Sequence, residues 1–266
     1  MKEMKMNTLL GKLDHSSSVF NKEVADYTNY FKRSQGAFRG EKKTYTPREG
    51  YSDDPSKVGN MQVQTTVNEQ FEWMAKIAKN YLDDTLSIEA TNSTGAKRVP
   101  LAVDGVYFGD LTALELMRLK SILTSKELIA MFENIPVRSD SIVWNKTQNE
   151  NYVGRDIYET MMEKGVSRTT ESEDVILKDP NIDPANLPGN YRSPIVQKKK
   201  VIEIGDYTRQ QFSGEWTQRQ KAELLNRRSK LVEAVNIALK VVNDELAVET
   251  NVNVDKLINF INFGKE

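Results

Sequence analysis

The chain has 266 residues, with 37 Lys and Arg against 38 Asp and Glu and a formal net charge of -1. No global field therefore draws it to nucleic acid or to an anionic membrane, and any polyanion site must be a local patch. It contains no cysteine, which excludes disulfides, thiolate nucleophiles and thiolate-held zinc or iron-sulfur centres.

The length permits one large domain or two small ones. No run of about 18 apolar residues is present, and residues 1–7 lack the basic and then apolar profile of a secretory signal. A cytoplasmic protein is expected, in a bacterial cell or as a phage protein in its host.

Taken in order, Leu10, Leu13, Phe20, Val24, Tyr27 and Phe31 recur at three- and four-residue steps, with Ser17 the polar member of the series. This is a narrow seam, the kind that packs on one partner helix, either within the chain or on a neighbouring subunit. Gly36 and Gly40 end that helix, and residues 39–55, with Pro47, Gly50 and Pro55, read as a polar, mobile loop. Thr66 and Glu69 have capping-box spacing, and Val67, Phe71, Met74, Ala78 and Tyr81 trace a second helical stripe ending near Asp83.

An extended region is expected from residue 87, and residues 99–103, Asp104-Gly105 and 106–108 spell strand, turn, strand. Asp110 is placed to cap a third helix carrying Leu111, Leu114, Met117, Ile122, Leu128 and Met131 up to Pro136. Thr124 and Glu127 repeat the capping spacing inside it, so a break is expected near Thr124.

From 141 to 213 the pattern turns to short β-like runs, at 142–144, 152–157, 175–177 and 201–204. Pro180, Pro184, Pro188 and Pro194 make residues 179–194 an irregular arm. Residues 216–249 then form a helix about nine turns long. Its stripe runs through Leu224, Leu225, Arg228, Leu231, Val232, Val235, Ala238, Leu239, Val242 and Leu246, and something must cover it. The last piece, with Leu257, Ile258, Phe260, Ile261 and Phe263, is too apolar to stay in water and is expected to dock on the core or on another subunit.

Little in this text points to catalysis. His15 is the one histidine, flanks the first seam, and has no nucleophile near it in sequence. Zinc would need three carboxylates beside it. Asp53-Asp54, Asp83-Asp84 and the group Glu171, Glu173, Asp174 suit helix ends and solvated loops better than magnesium, because adjacent side chains on one element diverge. No glycine pattern for cradling phosphates occurs.

Basic groups recur at Lys42-Lys43, Lys97-Arg98, Lys198-Lys199-Lys200 and Arg227-Arg228, with Tyr45, Tyr191 and Tyr207 nearby. Candidate contacts for a phosphorylated ligand are Lys43, Tyr45, Lys97, Arg98, Arg168 and Arg228. The plainer account is a solvated surface, with lysines guarding a strand edge. Arg228 lies inside the apolar stripe, where a guanidinium needs a partner; an acidic one is expected.

A set of short motifs resembles a widespread bacterial and phage-associated family of intracellular proteins known only as a domain of unknown function. The matching pieces are Lys43-Thr44-Tyr45, Val103-Asp104-Gly105, Ile135-Pro136, Gly205 with Tyr207, Ser213-Gly214, the run 224–235 beginning Leu224-Leu225-Asn226-Arg227-Arg228, and Asp255-Lys256-Leu257. They keep one order along most of the chain, while residues 158–194 depart from the pattern in length and composition. The resemblance implies a common fold and a chain that acts as one unit; it brings no activity, cofactor or catalytic residue.

The expected architecture is α+β, a single domain over 1–266. Long N- and C-terminal helices pack together beside a β-hairpin and a small antiparallel β layer. The helical portions are 1–35, 61–85, 110–135 and 215–249, and the β-rich and irregular portions are 86–109 and 140–214.

The expected role is a non-enzymatic homo-oligomer working through self-assembly or partner binding. Its interface would use Leu13, Phe20, Val24, Tyr27, Phe31, Leu224, Leu231, Val235, Leu239, Val242, Leu246, Phe260 and Phe263. The alternatives are a protein that binds or sequesters a small phosphorylated, nucleotide-like ligand in phage-host conflict, and a metal-dependent hydrolase using carboxylates. No catalytic residue, metal or cofactor is assigned, and neither nucleic acid nor membrane is expected as a partner.

Overall fold

The computed structural model describes residues 5–176, 195–244 and 252–263 and combines helices with antiparallel sheet, an α+β protein. The first seam forms α1 (Met6–Arg33), and the capping pair opens α2 (Val67–Asn92). The Thr66 side chain accepts from the Glu69 N–H at 3.1 Å, and Glu69 accepts from the Thr66 N–H at 2.9 Å. Two donors that a helix start leaves without partners are thus satisfied.

Helix α2 does not stop at Asp83 or give way to extended chain at 87. Its buried face continues through Asp84, Thr85 and Ile88, with Asp84 paired to Lys12 at 2.7 Å. Polar members interrupt the apolar pattern there without interrupting the helix.

The chain gathers into two units. The first comprises Met1–Asp14, Leu82–Ser125 and Asn226–Glu266; the second comprises His15–Tyr81 and Lys126–Leu225. Helices α1, α2 and α5 (Gln218–Val242) contribute residues to both.

In the first unit, β3 (Val99–Val103) and β4 (Val106–Leu111) form the expected hairpin. Its Asp104-Gly105 turn takes positive φ at both positions (50° and 82°), as a two-residue turn between twisted strands requires. Thr112, rather than Asp110, caps α3 (Ala113–Leu123), in a capping box with Glu115. The expected break follows, and α4 (Lys126–Glu133) starts anew.

From Leu231 to Val242 the stripe of α5 is covered by this hairpin and by α3. Val235, Ala238 and Val242 are buried with Val99, Leu101, Leu111 and Leu116, and Leu231 and Leu239 lie half-buried beside them. At about 25 cal/mol per Å², closing such a face is the main stabilising term in a helix-on-hairpin pair. Leu246 lies outside the described residues.

The second unit holds a six-stranded antiparallel sheet of β1 (Arg39–Pro47), β2 (Gly59–Met61), β5 (Asn145–Lys146), β6 (Tyr158–Glu159), β7 (Glu163–Ile176) and β8 (Ile195–Ser213). Its order is β2-β1-β8-β6-β5, with β7 following β6 along the same edge of β8. Residues 39–47, expected as loop, pair along their whole length with β8, from Arg39↔Ser213 to Pro47↔Gly205. The expected short runs at 175–177 and 201–204 turn out to lie in or at the ends of the long strands β7 and β8, except that residue 177 and the expected irregular arm at 179–194 fall outside the described residues.

The α1 seam meets α2 and the turn that follows α1. Phe20 stacks on Tyr81 with centroids 4.6 Å apart, and Phe31 lies against Phe38 and Phe71. Phe71 stacks in turn on Trp216 at 5.0 Å. Phe20, Val24, Tyr27 and Phe31, expected at an interface, are buried by the chain itself.

The start of α2 ties these parts together. Arg155 grips both Glu69 oxygens at 2.6 and 2.9 Å and donates to the carbonyls of Val63 and Gln64 at 3.2 and 3.0 Å. The Trp216 indole donates to Asn68 at 2.6 Å, and the Val67 N–H donates to the Gly214 carbonyl at 2.9 Å. A Cβ on Gly214 would sit 2.8 Å from the Thr65 carbonyl oxygen, a backbone atom. Gly214→Ala is therefore expected to lower the unfolding free energy by about 1–3 kcal/mol, measured by urea denaturation; an unchanged midpoint would show that the strand end yields.

Candidate functional site

On one face of the second unit's sheet, the antiparallel register sets side chains in rows across β1, β8 and β7. Tyr45, Tyr207 and Gly165 form one row; Lys43, Arg209 and Glu163 form the next; Glu41 and Gln211 stand beyond them. Two glycines make room for the aromatic row. A Cβ on Gly165 would fall 2.5 Å from the Tyr207 ring, and one on Gly205 would fall 2.4 Å from the Tyr45 ring. The Tyr45 hydroxyl donates to the Ile204 carbonyl at 3.0 Å, which fixes the ring, and the Lys57 ammonium sits 4.7 Å from its centroid.

A cleft of about 390 Å³ opens here, lined by Lys43, Ser56, Lys57, Ser167, Tyr207, Thr208 and Arg209. Three cations meet hydroxyl groups and an aromatic ring, chemistry suited to a phosphate-bearing ligand. The cations are not bare. Glu41 takes Lys43 at 2.6 Å together with Arg209, and Asp54 takes Lys57 at 3.3 Å.

Burial alone would raise the Glu41 carboxyl, but hydrogen bonds from Lys43 and Arg209 outweigh it and hold the group below the usual carboxylate range. A second cleft of about 360 Å³ lies along Arg39, Glu41, Trp144, Arg209 and Glu215, where Arg39 pairs with Glu215 at 2.8 Å.

The residues expected to gather around a ligand divide between the two units. Lys43 and Tyr45 stand together in the second. Arg168 belongs to the same unit, on β7 opposite a bulge at Ile204 of β8, and pairs with Glu203 at 3.2 Å. In the first unit, Arg98 donates to the Asp110 carbonyl at 2.9 Å and pairs with Glu115 at 3.4 Å. Lys97 donates to the Val241 carbonyl at 3.3 Å.

Among the described residues Arg228 has a carbonyl partner where an acidic one was expected: its guanidinium donates to the Leu123 carbonyl at 2.7 Å, at the C-terminal end of α3. A helix end carries partial negative charge, and so does the work foreseen for a carboxylate.

Lys57, Ser56, Ser167 and Arg209 were not singled out in the sequence. Their one signal is strand alternation, which places 207 and 209 on the same face as 43 and 45 once the register is known.

His15 is exposed on α1. Asp53 and Asp54 lie in a turn that Asp54 caps, and Glu171, Glu173 and Asp174 lie along β7. Among the described residues no three His, Asp or Glu side chains come together as a metal site, and no helix is long and apolar enough to cross a membrane.

Fold and cleft define a mixed α+β protein with a basic, aromatic sheet face. The chain belongs to a family of unknown function, DUF7873, whose model matches residues 3–263. No curated protein and no solved structure matched it.

The depressed Glu41 carboxyl has a pH consequence. Its folded pKa lies below the unfolded one, so its contribution is complete above the ordinary glutamate value of about 4.3 and is lost as pH falls through the lower folded value. Wild type is expected to exceed Glu41→Gln in stability at pH 7, with the gap closing in acid; a gap that persists unchanged in acid would contradict the charge assignment. Denaturation midpoints across pH measure both.

Proposed function

We propose that this chain is a non-enzymatic protein that works by self-association into a homo-oligomer. One observation supports this most: α6 (Val254–Phe263) turns Val254, Leu257, Ile258 and Ile261 along one face at helical spacing, and every one of them is about half exposed or more. Phe260, on the same helix, is 67% exposed; the Phe263 side chain lies outside the described residues. The β3–β4 turn adds exposed Val106, Tyr107 and Phe108.

The stripes of α1 and α5 are covered within the chain, so the interface shifts from the residues first expected to α6 and the hairpin tip. A contiguous apolar surface left in water marks an interaction site. The proposal includes the packing together of the long terminal helices α1 and α5 and a cytoplasmic setting, bacterial or phage.

A second reading has its own observation. The cleft of Lys43, Lys57, Arg209 and Tyr207 suits a small phosphorylated ligand, and supports a binding or sequestering role in phage-host conflict. The carboxylates of Glu41 and Asp54 already occupy its cations, which ranks it second. A carboxylate metal-hydrolase gains no support from the described residues.

Sedimentation equilibrium of the whole chain tests the first reading. Wild type is expected to self-associate, and Leu257→Asp with Ile261→Asp to weaken association at least about tenfold while leaving thermal unfolding within about 0.5 kcal/mol, since both positions are exposed. A wild type that stays monomeric at high concentration overturns it. For the second reading, calorimetry with ATP as the probe is expected to show binding that Lys43→Glu with Arg209→Glu abolishes; no heat with wild type overturns that reading.

A further inference from the structure

Strands β7 and β8 outrun the sheet. β1 covers β8 only from Gly205 to Ser213, and β6 only at its end. Between Arg168↔Glu203 and Ile176↔Ile195 the two strands pair with each other alone among the described residues, in nine register pairs. That is a ribbon roughly 30 Å long. Residues 170–174 and 195–201 are exposed throughout, and an isolated two-stranded ribbon is marginal in water. Each outer edge also carries a row of backbone N–H and C=O groups that a further strand would satisfy.

The two edges differ in charge. β7 carries Glu171, Glu173 and Asp174, and β8 carries Lys198, Lys199 and Lys200. A two-fold contact, like edge to like edge, would bring six ammonium or six carboxylate groups together. Unlike edges attract, and the register that sets Glu171 beside Lys200 and Glu173 beside Lys198 within one chain would repeat between chains. Lysines on an edge discourage indiscriminate pairing; facing an acidic strand of fixed register, they admit one partner and exclude others.

We infer that the β7–β8 ribbons of successive copies join side by side, the acidic β7 edge of one copy adding to the basic β8 edge of the next. The contact is head-to-tail, so it closes into a ring or runs on as a filament. This rests on the self-association proposed above and adds to the α6 surface a second one, with its direction and symmetry class.

The test exchanges the charges between strands. A chain carrying Glu171→Lys, Glu173→Lys, Asp174→Lys, Lys198→Glu, Lys199→Glu and Lys200→Glu keeps every cross-strand pair within the ribbon and so keeps the ribbon. It is expected to self-associate like wild type. In chains that also carry Leu257→Asp and Ile261→Asp, so that the ribbon is the contact read, mixing the exchanged ribbon with a differently labelled wild-type ribbon is expected to form at least about tenfold less mixed oligomer than two labelled samples of the wild-type ribbon do, because unlike chains now meet with like charge.

Free co-assembly of the two chains, or an exchanged chain that stays monomeric beside an oligomeric wild type, overturns the ribbon contact and leaves self-association standing. A wild type that is itself monomeric at all concentrations overturns the reading beneath it.

Discussion

The bidentate grip of Arg155 on Glu69 holds the second unit's helices to its strands. Glu69 closes the capping box of α2 on one side and receives the guanidinium on the other. The same arginine reaches the carbonyls of Val63 and Gln64, residues that lead from β2 into the helix. Hydrogen bonds to charged groups are worth up to about 1.5–3 kcal/mol each, and less for this pair, which water partly screens. Around this point Trp216 stacks on Phe71 and donates to Asn68, and Gly214 lets the end of β8 approach the helix start. The sheet face with its cleft is set by β8, whose C-terminal end is fixed here.

Much of the helical framework was legible because its rules are local. The α1 seam, the α2 capping box, the Asp104-Gly105 turn and the break at Thr124 each depend on residues within a few positions of one another. What was not legible depended on pairing at long range. β1 reads as loop because Glu41, Lys43 and Tyr45 alternate with Lys42, Thr44 and Thr46, so neither face is apolar and period two leaves no hydrophobic trace. The cleft followed the same logic: Lys43 and Arg209 are neighbours only through the register of β1 on β8. α2 passed its expected end because Asp84 and Thr85 occupy buried positions where the pattern called for apolar ones.

The two apolar stripes that stand out in the sequence are largely covered within the chain. The α1 seam and the α5 stripe, which in sequence demanded shelter most strongly, obtain it from α2 and from the β3–β4 hairpin with α3. Arg228 interrupts the α5 stripe at a place where the end of α3 supplies a carbonyl that accepts from its guanidinium. Among the surfaces left open are α6, the hairpin tip and the β7–β8 ribbon. The sheet face around Tyr45 and Tyr207, by contrast, is polar and has its cations matched by carboxylates, a surface compatible with water as it stands.

That division makes self-association the central claim, and native mass spectrometry of the intact chain purified from cells measures it most directly, since one spectrum reports both subunit count and any retained small molecule. The account predicts a mass of two or more times the 30.3 kDa chain, without an added ligand. A single 30.3 kDa species at high concentration would contradict it, and a phosphorylated small molecule retained on that species would favour the cleft instead.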